Sequence, residues 1–251
     1  MIILCLNGLT ISTAKADDIP FSKAETWNYA IRYKYGLVVM KAGSAHYQLH
    51  ATVYNRKPAV KLSVDFKTNS FFDKIFFIRD TLTAFAELPN YVPLYHARSV
   101  NEGNTHFSEE MWIRKFGSDY TEMQIKRAWD GAVRTDTILS TSNPGYDILN
   151  IFLYVRQLDY AGMNPGDSRY ITIFLGDKKA KLIIRYAGTT VMERYNKQKR
   201  NAFVLTVDIS NEVFSDAKNA MEIWISDDEY HVPLKIKAKL KIGAAEAELM
   251  K

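Results

Sequence analysis

The side chains that could carry chemistry are scattered along this chain, and their spacing excludes most of it. His46 and His50 stand four residues apart. On a helix that spacing puts both imidazoles on one face. Here it falls inside an alternating run, where four residues span about 13 Å and the two rings cannot share one ion. His96, His106 and His231 stand alone in sequence. Glu109 and Glu110 are adjacent, so on a strand they point to opposite faces and cannot flank one glycosidic bond. Asp227-Asp228-Glu229 falls where a hairpin turn is expected, and acidic residues are ordinary turn formers; calcium binding is a second reading with too few liganding positions. The one thiol is Cys5. There is no G-x-S-x-G nucleophile elbow, no G-x-x-x-x-G-K-[ST] phosphate loop and no compact carboxylate cluster for paired metals. No catalytic residue, metal site or cofactor is assigned.

Two groups remain as candidates for ligand binding. Lys235, Lys237, Lys239 and Lys241 occupy alternate positions and would set four amines along about 20 Å of one sheet face. Such a row could attract an anionic glycan or a lipid headgroup; the competing reading is a solvated face that discourages edge pairing. Nucleic acid is not expected, because the net charge is a modest +5. Arg79, Asp80, His96 and Arg98 interrupt otherwise apolar strand faces. In a closed sheet they could orient a ligand inside an aromatic-lined cavity, or else lie outside or in an internal ion pair.

These residues need elements to hold them. Of 251 residues, 47% are hydrophobic, too many for a disordered chain, and one Cys excludes a disulfide framework. The first sixteen residues run from the apolar Ile2–Leu6 stretch to Ala14-Lys15-Ala16 before Asp17-Asp18, the pattern of a secretory signal with its cleavage site. A buried N-terminal strand is the other reading. The apolar stretch is too short to span a bilayer, and no transmembrane helix is expected. Residues 17–251 read as a single domain.

Within it, period-two alternation dominates. Trp27, Tyr29, Ile31, Tyr33 and Tyr35 recur at every second position, as do Val60, Leu62, Val64 and Phe66. Runs near 82–88, 94–100, 106–116, 120–129, 169–175, 181–187, 190–195, 203–209 and 221–226 continue the pattern. Val232 to Ile242 alternates with the lysine row as the closing strand. Gly- and Asp-bearing connectors such as Gly176-Asp177-Lys178 supply turns, so a meander of antiparallel strands is expected. The 15 Tyr, 13 Phe and 4 Trp are expected as core or lining of this sheet. One segment breaks the pattern: Ile148, Ile151, Phe152, Val155 and Leu158 share a face at helical spacing, which predicts one short helix near 147–158, packed against or plugging the sheet. A buried strand is the alternative there.

The order of features resembles an exported bacterial family, domain of unknown function 3108. The residues that carry the resemblance are Tyr29–Lys34 leading to Ala42-Gly43-Ser44-Ala45, then Phe76–Asp80, Pro93-Leu94-Tyr95 with Asn101-Glu102-Gly103, the Asp147–Arg156 segment with Pro165-Gly166-Asp167, and Ile223–Asp228 with Val232-Pro233-Leu234. The resemblance implies an exported, mainly β protein, one large antiparallel, up-and-down, open β-barrel or half-barrel, and no established activity. The expected role is a non-catalytic binding or scaffold protein of the periplasm or cell envelope. Its partner would be a lipid, a glycan, another apolar or amphipathic molecule, or an envelope protein. The alternative is a hydrolase of envelope glycan or lipid ester.

Overall fold

A computed structural model describes residues 24–193, 198–210 and 217–250. The expected signal segment, 1–16, lies outside the described residues. The alternating runs become strands because one face of each is apolar and has to be buried, while the other can stay wet. Eight strands follow one another as a meander: β1 (Glu25–Tyr35), β2 (Val38–Tyr54), β3 (Lys57–Thr68), β4 (Arg79–Glu87), β5 (Val92–Glu102), β6 (Thr105–Lys115), β7 (Thr121–Trp129) and β8 (Ala132–Thr141). After the two-residue β9 (Gly145–Tyr146) and the helix α1 (Asn150–Arg156), six more run in sequence: β10 (Ser168–Leu175), β11 (Lys178–Glu193), β12 (Lys199–Ser210), β13 (Ala217–Ser226), β14 (Pro233–Lys239) and β15 (Ala244–Leu249). β15 pairs with β1, joining the two meanders into one 15-stranded sheet whose outermost strands are β8 and β9. All pairings are antiparallel except β9 with β10.

The sheet rolls into a nearly closed barrel whose two ends overlap instead of forming a ladder. In β10 four consecutive residues, Ile171 to Phe174, are buried, so both of its faces are covered. Ile173 faces the barrel's central cavity. Phe174, on the opposite face, packs on Met111, Met123 and Ile125 from the concave side of β6 and β7. Hydroxyls of Thr141 and Thr172 hydrogen-bond at 2.9 Å, and Gly145 N–H donates to Thr121 Oγ1. Gly145 is required at this seam: a Cβ there would lie 2.5 Å from the Phe174 ring. A second close approach lies at the β1–β2 bulge, where a Cβ on Gly43 would sit 2.1 Å from the Lys67 carbonyl oxygen.

The helix is shorter than the periodicity predicts. Its seven residues are too few to be stable alone, and packing holds it. The Asp147 carboxylate accepts the N–H groups of Leu149 and Asn150 and so starts the helix. Inside the barrel, Leu149 and Leu153 pack with Leu49, Leu62 and Ala84 of the first meander. Val155 and Leu158 pack with Ile184, Leu205 and Ile225 of the second. The plug reading of this segment therefore holds, and the buried-strand alternative does not.

Four details differ from the sequence reading. The closing strand ends at Lys239; Lys241 lies in the bend that follows, and Leu240 and Ile242 are exposed. β8 and β15 are additional strands. Ala244–Leu249 is built of Ala, Glu and Leu, residues of weak β preference, and becomes a strand only because β1 and β14 flank it. The runs at 181–187 and 190–195 belong to one strand, bulged between Tyr186 and Gly188, whose described part ends at Glu193. Not every aromatic residue is core or lining: Tyr54, Phe85, Tyr95 and Trp112 form a half-buried stack on the outer face of β2, β4, β5 and β6, with ring centroids 4.5 to 6.1 Å apart.

Candidate ligand cavity

The inward faces of the strands enclose a cavity of about 580 Å³, within the size range of small-molecule sites. Its wall is apolar: Ile31, Val64 and Leu82 come from the first meander, Ile184, Val207 and Ile236 from the second. Residues Ile148, Leu149, Ile151, Phe152 and Val155 close it on the helix side. Its charged lining groups are Asp80, Arg98 and Glu102. They follow from strand geometry, since His96, Arg98, Val100 and Glu102 alternate on the inner face of β5 and Asp80 lies opposite Val100 on β4 by register.

The Asp80 carboxylate accepts the Asn101 N–H at 2.8 Å. Glu102 lies beside Asp80 on the cavity wall, and two neighbouring carboxyl groups hydrogen-bond only when one of them is protonated. Burial first, and the neighbouring Asp80 second, raise the Glu102 carboxyl above its ordinary value; Arg98 pulls the other way. Arg98 donates from Nε to Glu109 Oε1 at 2.8 Å, and Glu109 also accepts from Arg127 at 2.6 Å. Glu109 is fully buried between the two guanidiniums. The β10–β11 turn closes down on this trio, leaving Gly176 (φ +63) no room for a Cβ, which would meet Arg127 at 1.8 Å.

His96 lies deeper, at the start of the plug. Its Nδ1 is 3.3 Å from Asp147 Oδ1, and both side chains are fully buried. The contact falls short of a hydrogen bond. Burial alone would raise the Asp147 carboxyl; the His96 ring and the Asn150 donors outweigh it and hold the group below its ordinary value. At its other end the plug is fixed by Arg156, whose guanidinium bridges both Glu25 oxygens at 3.0 and 3.1 Å, donates to the Tyr230 carbonyl and lies over the Trp27 ring at 4.8 Å. Beside it, burial pushes the Tyr47 hydroxyl up to about 12 against the opposing effect of Arg156.

The eight sequence candidates therefore separate. Asp80 and Arg98 reach the cavity, and His96 shares their inner face but touches the plug. Arg79 points the other way: it forms a two-pronged pair with Asp73 at 3.0 and 2.7 Å and clamps the 3-10 turn Phe72–Lys74 against Thr68. Lys235 and Lys237 lie on the outer face and pair with Glu246 at 2.9 Å and Glu222 at 3.1 Å; Lys239 reaches the Lys218 carbonyl. Two of the four lysines thus meet carboxylates from the neighbouring strands, which lowers the row's pull on an anion, while Lys239 and Lys241 are exposed. Glu109 and Glu110 do diverge, Glu110 accepting from Tyr95 outside. Among the described residues no group of three or more His, Cys, Asp or Glu is placed to hold a metal ion. Also among them, no helix is long and apolar enough to cross a membrane. Glu102 and Arg127 had no sequence signal of their own; inward alternation from Arg98 would have found Glu102.

The opposed shifts of the two acidic sites give a pH signature. Asp147, with a depressed value, contributes stability above the unfolded value near 3.9 that is lost as pH falls through its folded value. Glu102, with a raised value, contributes stability below the unfolded value of about 4.3 that is lost as pH rises through its folded value. Glu102→Gln is therefore expected to become more stable relative to the parent as pH is raised from about 4 to 7. Urea unfolding across that range checks this; parallel pH profiles for the two proteins would show that the carboxyl contact is not made.

No curated protein matches the chain. Among solved structures it is similar to a β-barrel-like protein of domain of unknown function DUF1849 from Brucella abortus, at 8% sequence identity and TM-score 0.62, covering 93% of this chain and 98% of that one. At that identity the likeness concerns the fold alone. The family model for DUF3108, a protein family of unknown function, matches residues 28–250. With nearly the whole described barrel inside that match, the chain belongs to the DUF3108 family.

Proposed function

We propose that this protein is an exported, non-catalytic binding protein that holds an amphipathic molecule of the cell envelope in its barrel. The observation that carries the reading is the cavity, with apolar walls and a few charged groups confined to β4 and β5. Such a division suits a ligand with an apolar body and one polar end. Glu102 lies six residues along β5 from His96, about 20 Å at strand rise, so the polar group stands away from the buried start of the plug. Export is supported by the A-x-A pattern before Asp17.

The chemistry on view favours binding over hydrolysis. Asp80 and Glu102 are in contact, whereas glycosidase carboxyls stand about 5–9.5 Å apart to admit the scissile bond or a water. His96 faces Asp147, and among the described residues neither ring nitrogen has a hydrogen-bond partner, so His96 activates no hydroxyl. The test is saturable uptake of the neutral apolar fluorophore N-phenyl-1-naphthylamine by the delipidated protein. Enhancement at one site per chain, lost on replacing Leu82 and Ile184 by Glu, is expected. No saturable enhancement in the folded parent would overturn the reading.

A further inference from the structure

We propose that the ligand's polar end is a protonated amine, held between Asp80 and Glu102. This rests on the binding-protein reading above and adds the headgroup class. The argument is charge balance at the polar end. Arg98 and Arg127 bring two positive charges, and Glu109 and Asp80 bring two negative ones. Among the described residues of this group Glu102 is the fifth ionisable side chain, and its ionisation leaves the five with one uncompensated negative charge.

The geometry decides which ligand charge fits. Glu102 faces Asp80 from β4 and Arg98 from its own strand; Glu109 of β6 and Arg127 of β7 complete the set. Across the cavity lie Leu175, Ile209 and Met221, which supply no charge. Arg98 is already engaged by the buried Glu109 and stacks over Phe107 at 5.1 Å. A carboxylate or phosphate approaching it would meet the Asp80–Glu102 pair and be repelled. An ammonium meets two carboxyl groups and can donate to both. On binding, Glu102 enters as the carboxylate, its proton going to solvent, and the ammonium balances its charge.

The experiment displaces N-phenyl-1-naphthylamine with dodecylamine, laurate and dodecanol, which share one chain and differ in head. At about pH 7.5 dodecylamine is expected to bind at least about tenfold tighter than laurate, the worth of one charge-assisted hydrogen bond. The preference should shrink at about pH 4.5, where the carboxyl pair keeps its proton. Glu102→Gln should remove most of the preference, and its retained uptake of the neutral fluorophore reports that the variant is folded. Laurate binding as tightly as dodecylamine, with the fluorophore still taken up, overturns the amine assignment and leaves the binding reading standing. Failure of all three to displace the fluorophore overturns the amine assignment, and failure of the fluorophore itself to bind overturns both.

Discussion

Replacing Arg156 by Leu is expected to cost about 3–5 kcal/mol of stability, the range for breaking a buried ion pair by removing one partner. The side chain is fully buried, and its partner Glu25 is only 10% exposed, so neither charge has water to fall back on. The loss is spread over the fold, because Arg156 joins α1 to β1 through Glu25 and to the β13–β14 connection through the Tyr230 carbonyl. His231 adds a contact from that connection to the Arg156 carbonyl oxygen at 2.7 Å. Glu25→Gln should be similarly damaging, since it strands the guanidinium. The double variant Arg156→Leu/Glu25→Leu should recover part of the loss, because two apolar groups leave no unpaired charge. Urea melts of the three variants check this. Full additivity, or an Arg156→Leu protein as stable as the parent, would mean that the plug is held by apolar packing alone.

The second large effect is expected at the seam. Phe174→Ala should cost about 3–5 kcal/mol, as for a large aromatic removed from a packed core. Phe174 is fully buried against Met111, Met123 and Ile125, and no backbone ladder between β8 and β9 supports the closure. Side-chain packing and a few hydroxyl contacts therefore carry the work that hydrogen bonds perform in a fully closed barrel. The variant should open locally, with faster amide hydrogen exchange in β9 and β10 than in the continuous ladder of β1–β4. Exchange rising equally everywhere would mean that the ends of the sheet do not separate as a unit.

The two expectations explain why the fold was more legible than the site. Period two survives in sequence because each strand must bury one face against its neighbours' side chains. That is why Val60, Leu62 and Val64 announce β3 and why the antiparallel meander could be expected. Ile148, Ile151 and Phe152 announced the plug in the same way, since a helix inside a barrel needs an apolar face. β15 was not legible, because Ala and Glu declare no face until β1 and β14 lie on either side. At the site, Asp80, His96 and Arg98 stood out as polar residues on apolar faces, and two of the three reach the cavity. Arg79 stood out equally and points outward, a difference of one residue that alternation alone could not assign without knowing the register.

By itself the sequence determined the class of architecture, the direction of the meander, the plug segment and the resemblance to DUF3108. These are local properties: alternation, helical spacing and turn residues act over a few neighbours in the chain. Only the tertiary structure decided that the ends of the sheet overlap, that Arg156 reaches Glu25 across 131 residues and that Glu102 completes the group around Asp80 and Arg98. It also decided that Lys235 and Lys237 of β14 pair with carboxylates of the neighbouring strands. Those facts depend on which strands become neighbours and in what register. They are set by the collective burial of both meanders, so no short stretch of the chain contains them.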